Sequence, residues 1–317
     1  MIVFAIRRAV LGVLVLVAVA LMVFVAIRLI PGDIVNQQLA EAGAVTPELL
    51  QEKRAAMGLD KPIAEQFLVW AGGIVSGDLG HSLWTGRPVS AQIGAALLPT
   101  LQLSIMAIAM GALFGIGAGV LAALWRGTAG DMVLRMLSTV FLAIPQLWLG
   151  LLTLTGLALI GYYIPLPYRS FATDPWANFQ QVIFPALALS LGVAAALSRL
   201  TRSAMLEVTG ADFIRAARAR GVSSSGLYLG HALKNALIPV ITLLGTQFGN
   251  LLSGTVIIER IFNVPGLGNL LFEAVAYRDY TVIQAAVLTY GLITIIVNLM
   301  VDLSYGLVDP RIREARS

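Results

Sequence analysis

The residues able to do chemistry in this 317-residue chain are few, and their spacing excludes more than it supports. None of the three lysines, Lys53, Lys61 and Lys234, follows a glycine, so the Gly-Lys-Ser/Thr loop that cradles nucleotide phosphates is absent. His81 and His231 belong to no His-Glu-x-x-His pattern, and cysteine is missing, so neither metalloprotease nor thiolate chemistry is encoded. His81, beside Ser82 and Trp84, reads as a surface residue. Asp302, with Asn298 one turn earlier, is the main ionisable candidate inside an apolar run. Its plainer reading is an interhelical hydrogen bond. The middles of the other apolar runs carry no acid, as an ion-coupled carrier would need.

The most informative stretch is basic and alanine-rich: Arg199-Leu-Thr-Arg202, then Asp212-Phe-Ile-Arg215-Ala-Ala-Arg218-Ala-Arg220-Gly221, closing at His231 to Pro239. Residues 199–236 hold six Lys/Arg against two acids, Glu207 and Asp212, between runs that are almost charge-free. Short basic loops stay in the cytoplasm. Residues 211–220 are good helix formers, with Phe213, Ala216 and Ala217 on one side and Arg215, Arg218 and Arg220 around the rest. A short helix with a small-residue face, held beside a membrane, suits docking into a groove on a soluble partner. The segment points to a transport subunit driven from the cytoplasm.

The elements that must position this helix follow from composition. The chain is 58% hydrophobic and 12% charged, with mean hydropathy +0.86, which implies an all-α polytopic membrane protein. The net charge of +4 gathers beside apolar runs, where topology explains it, and no nucleic-acid-binding pattern is present. Six spans are expected, at 9–30, 98–125, 132–162, 182–199, 237–258 and 282–307, with Pro145 kinking or breaking the third. The first run, after Arg7 and Arg8, is too long for a signal-peptide core and reads as an uncleaved helix with Arg28 snorkelling to the far interface.

Charge places Arg7, Arg8, Arg126, Arg135, the 199–236 loop and a tail with Arg311, Arg313 and Arg316 inside. Residues 31–97, 163–181 and 259–281 then lie outside, and both termini are cytoplasmic. Four parts result: a first helix (1–30), an extracytoplasmic helical insertion (31–97), a five-helix core (98–308) and a tail (309–317). In the insertion, Thr46-Pro47-Glu48 reads as a helix start running to Met57. A second helix is expected from Pro62 to about Val75, before Gly77-Asp78-Leu79-Gly80 punctuates the chain.

Several motifs carry a family resemblance. Arg215-Ala216-Ala217, Gly221 and Ile238-Pro239 resemble the cytoplasmic EAA loop of binding-protein-dependent ABC importer permeases, with Arg where that loop has Glu and a wider gap to the proline. Both departures resemble the dipeptide/oligopeptide/nickel branch. So do Arg7-Arg8, Ile30-Pro31-Gly32-Asp33, Met57 to Pro62, Gly77 to Ser82, Glu259 to Gly268 and Val308 to Arg313. The amino-terminal signature resembles the first of that branch's two permease types.

The resemblance implies a type I importer permease fold and a pseudo-twofold pairing with a homologous second permease. It also implies two cytoplasmic ATPases and an extracytoplasmic binding protein. This chain would bind no cofactor, with ATP and Mg on the partner subunits. Residues from Glu207 through Asp212, Phe213, Arg215, Ala216, Ala217, Arg218 and Arg220 to Gly221 would form the ATPase-docking coupling helix. Its arginines would pair with acids on the ATPase or with membrane lipid headgroups. Glu259, Phe262, Pro265, Gly266 and Gly268 would form an extracytoplasmic gate loop, or a plain helix-terminating turn. Gln102, Gln146, Thr242, Gln247 and Asn250 would line the pathway. Di- or oligopeptide cargo is expected, with nickel or another small solute as the alternative. A solitary ion-coupled carrier is the rival class, and an enzyme reading finds no catalytic constellation.

Overall fold

The computed structural model describes the backbone of residues 2–29, 32, 34–41, 43, 46–223 and 225–308, and the side chains of 6–29, 32, 34–39, 43, 46–223 and 225–301. The Asp302 side chain, Ile30, Pro31, Asp33 and the tail with Arg311, Arg313 and Arg316 lie outside the described residues. Among the described residues, regular structure is helical apart from one bridge between His81 and Pro88. Five helices among the described residues are long and apolar enough to cross a membrane, or six if one bent pair counts as a single span.

The chain divides into two compact units. The first comprises residues 2–100 and 265–296. It contains α1 (Ile2–Leu29), α2 (Ile34–Glu41), α3 (Pro47–Ala56), α4 (Ile63–Ser76), the start of α5 (Val89–Leu124), α11 (Leu267–Ala276) and the start of α12 (Tyr280–Val308). The sequence signals at α3 act as expected: the Thr46 hydroxyl accepts from Leu49 N at 3.3 Å and Pro47 occupies the first turn. α4 stops at Gly77, whose φ of 84° lies in the left-handed region. Phe24 of α1 packs edge-on to Phe67 of α4, with ring centroids 5.1 Å apart. Asp279, 3% exposed, clasps the 77–88 loop by accepting from Ser82 Oγ at 2.5 Å, Leu83 N at 3.1 Å and Trp84 N at 3.3 Å.

The second unit spans residues 101–264 and resumes at 297. It holds the rest of α5, then α6 (Ala129–Ala143), α7 (Gln146–Leu159), α8 (Pro175–Thr209), α9 (Asp212–Ala219), a π-helical turn (Gly226–Ala232) and α10 (Leu233–Phe262). Leu103, Leu189, Leu197, Val240, Leu251 and Ile258 anchor its main core. Gly111, Gly115 and Gly119 form a stripe on α5 against α8. A Cβ on Gly115 would lie 2.6 Å from the Ala194 carbonyl oxygen, so only glycine lets the two backbones approach this closely.

The third run is broken at Pro145, as its sequence implies: Ile144 before the proline is extended (ψ 124°) and α6 and α7 meet at 109°. Other span boundaries run past expectation. The fourth continues past Arg199 to Thr209, since Thr201, Ala204 and Met205 are buried and sustain the helix where hydropathy fades. The second begins at Val89 instead of 98, because hydropathy marks only the apolar part of a longer helix.

Candidate functional site

The expected docking helix exists as α9, and the 199–236 segment is mostly helical. Thr209 ends α8, α9 follows after Gly210 and Ala211, and the π-helical turn leads directly into α10. Ile214 and Ala217 are its buried face, packed with Val120 and Ala123 of α5, Met205 of α8 and Leu227 of the π turn. Phe213, 46% exposed, and Ala216 lie open to solvent on the side expected to meet a partner, whereas Ala217 of that trio turns inward. Ile214 and Ala217 are three residues apart and so share one side of the helix, which takes Ala217 to the buried surface. The side presented to solvent carries Asp212, Phe213, Arg215, Ala216, Arg218 and Arg220. Asp212 and Arg215 form an ion pair within the helix, while Glu207 sits upstream in the last turn of α8. Gly221, at φ +80°, makes the left-handed exit that its position after α9 requires.

A brace missed in the sequence holds the end of α8 from which α9 hangs. Arg202 donates from Nε to Asp131 Oδ1 at 2.7 Å and from Nη2 to Oδ2 at 2.8 Å. Asp131 is 2% exposed, accepts from Gly127 N at 3.1 Å, and lies in the first turn of α6 after the N-cap Thr128. The available signal was a lone acid between Arg126 and Arg135 at the edge of an apolar run.

The expected gate loop is a tight turn between helices. Glu259 and Phe262 belong to the last turns of α10, and Gly268 lies in the first turn of α11, because Asn263 at φ 53° ends α10 abruptly. Glu259, Phe262, Gly266 and Gly268 are buried, while Pro265 is exposed. Thr100 Oγ1 accepts from Leu267 N at 2.8 Å and so satisfies one free donor at the start of α11.

The polar candidates separate into two groups. Thr242, Gln247 and Asn250 share α10, where Thr242, Thr246, Asn250 and Ser253 form an exposed stripe at spacings of four, four and three. Asn250 Nδ2 donates to Gln247 Oε1 at 3.3 Å. The other two amides are engaged elsewhere. Gln102 donates to buried Asn178 at 2.5 Å, and Asn178 Nδ2 reaches Arg169 O at 2.8 Å and Tyr168 Oη at 3.1 Å. Gln181 extends this network to the carbonyls of Pro165 and Pro167. Gln146 sits against Gly254, where a Cβ would lie 1.9 Å from its Oε1. Asn178 and Gln181 were legible only as two amides one turn apart at the mouth of an apolar helix.

Several helices long and apolar enough to cross a membrane, with a braced, arginine-rich short helix between two of them, define the chain's architecture. Residues 115–314 match the family described as binding-protein-dependent transport system inner membrane component, and residues 1–93 match that system's N-terminal membrane component. The chain belongs to this family: it is a permease subunit of a bacterial ABC importer of the dipeptide/oligopeptide/nickel branch, a transport subunit and not an enzyme. It is 38% identical over 298 residues to the glutathione transport system permease protein GsiC of Salmonella typhi and, separately, of Pectobacterium atrosepticum, covering 94% of this chain and 94% of each relative. Its fold resembles a chain of the inward-facing MetNI methionine ABC transporter, with TM-score 0.56 and 19% identity, covering 69% of this chain and 97% of that one. An amino acid ABC transporter solved with histidines gives TM-score 0.52 and 20% identity, covering 68% of this chain and 92% of that one.

Proposed function

We propose that this permease forms one half of a translocation pathway for short peptides, with glutathione-like tripeptides the leading cargo. A homologous second permease supplies the other half, a binding protein delivers cargo from outside, and two ATPases holding ATP and Mg dock below. Both termini, α9 and the tail 309–317 are cytoplasmic. The 31–97 insertion lies outside, and α10 and α11 flank the gate turn on that face. The similarity to GsiC over almost the whole of both chains supports the peptide class.

The observation that carries the mechanism is the two-faced α9. Ile214 and Ala217 fix it to the helix ends, leaving Phe213, Arg215 and Arg218 for a partner. A rigid-body push on that helix passes into α8 and α10 because the contacts beneath it are close-packed. The exposed polar stripe of α10 is costly against lipid and suits a water-filled path or a second permease. Uptake of labelled glutathione and dialanine in cells lacking the chromosomal gene, complemented by wild-type chain or by Phe213→Ala, tests the reading. ATP-dependent uptake of either peptide that falls with the variant supports it. Uptake of neither, with the subunits assembled, overturns the peptide assignment.

A further inference from the structure

The first unit contains a cavity of about 320 Å³ whose lining includes no residue of α9 or α10. Arg28, Gln66, Trp70, Asp78, Tyr280 and Gln284 line it. Among the described residues, the Gln284 amide nitrogen lacks a hydrogen-bond partner, and Arg28, stacked on the Phe24 ring at 3.5 Å, lacks a carboxylate. Gln284 is 2% exposed, yet its Nε2 has no hydrogen-bond partner, and leaving a buried donor unmade is unfavourable. Arg28 is half-buried at the end of α1 and spends two of its donors on Gln66 Oε1 and the Phe24 carbonyl. Among the described residues no carboxylate pairs with it. Asp78 supplies the opposite charge on the same wall, and its Oδ1 accepts from Gly80 N at 2.8 Å. Guanidinium and carboxylate line one cavity without meeting each other. A molecule carrying both an anionic oxygen and an ammonium group satisfies both.

The surroundings identify the source of that molecule. Arg28 lies one residue from the end of a membrane-crossing helix, at the depth of lipid headgroups. Beside it, the apolar helix α4 leaves Leu68 69% and Val75 90% exposed, as an interfacial helix resting among acyl chains does. Trp70 and Tyr280 supply the aromatic walls that favour this zone. We propose that the cavity is a headgroup site for a zwitterionic phospholipid with a primary ammonium. The phosphate sits against Arg28, the Gln284 amide turns toward it, and the ammonium faces Asp78. The bound lipid fastens α4 and α12 to the end of α1. This inference rests only on α1 crossing a membrane, so failure of the peptide assignment leaves it standing.

Native mass spectrometry of the chain extracted from its own membranes in mild detergent, then challenged with equimolar phosphatidylethanolamine and phosphatidylglycerol, tests it. The expected result is preferential retention of phosphatidylethanolamine. Loss of a charge-assisted bond in Arg28→Gln lowers that retention about tenfold, and loss of the neutral donor in Gln284→Leu lowers it about threefold. The leucine variant also removes the unsatisfied amide, so it keeps the test alive if the arginine variant misfolds. Equal retention of the two lipids overturns the proposal, as does a Gln284→Leu chain that binds like wild type. Displacement of the adduct by millimolar glycylglycine would assign the cavity to a free zwitterion and overturn the lipid reading.

Discussion

Arg202 holds Asp131 with a two-point grip, Nε to Oδ1 and Nη2 to Oδ2, at 2.7 and 2.8 Å. The pair joins α8 to the first turn of α6 seven residues before α8 ends. A fork-to-carboxylate pair fixes orientation as well as distance, which a single contact does not. Asp131→Asn and Arg202→Gln should each lower uptake while ATP hydrolysis by the assembled complex persists. Arg202→Lys, which keeps charge but loses the fork, should fall between. A double-mutant cycle on uptake should show strong non-additivity, and additive losses would mean that the two residues act separately.

The exit from α9 offers a second test. At φ +80° an alanine in place of Gly221 costs about 1–2 kcal/mol of local strain. Nothing lies within 4 Å of the position a Cβ would take, so strain is the whole effect. Membrane insertion should be unchanged, while recovery of the ATPases with the tagged chain declines. Phe213→Ala should reduce that recovery by more than its small effect on thermal stability explains, because nearly half of the residue is open to solvent.

Packing between α5 and α8 predicts a different outcome. Gly115→Ala places a methyl against the Ala194 backbone, where no flexible side chain can yield, and should destabilise the chain by about 1–3 kcal/mol. Thermal unfolding in detergent would register this as a lower Tm. An unchanged Tm would mean that the helices separate more easily than their contact implies.

The polar candidates can be told apart by what their loss disturbs. Asn250→Leu and Thr246→Leu lie on the exposed stripe of α10 and should leave stability intact while lowering uptake. Gln102→Leu removes the donor to a fully buried Asn178 and should lower the Tm whatever the cargo.

Much of this architecture was written in residue order. Thr46-Pro47 capped a helix as its types require, Pro145 broke one, and the arginine-rich decapeptide became α9 because Ala, Arg and Ile sustain a helix beside a basic membrane edge. What stayed hidden depends on partners distant in sequence. Nothing local marks Asp131 as the seat for an arginine 71 residues away, or Gln102 as spent on Asn178 76 residues on. Helical phase in a run of eight residues is likewise set by the surface beneath it. The inward turn of Ala217 with Ile214, away from Phe213 and Ala216, therefore required the neighbours that meet it.

The clasp of Asp279 on Ser82 spans 197 residues and imposes an order on biosynthesis. The loop bearing Ser82, Leu83 and Trp84 leaves the ribosome early, and its amides wait for a carboxylate that arrives only with the last helices. That loop therefore cannot complete its hydrogen bonds until Asp279 has emerged. A chain truncated before residue 265 would display an unfinished loop to whatever quality-control protease patrols that face of the membrane.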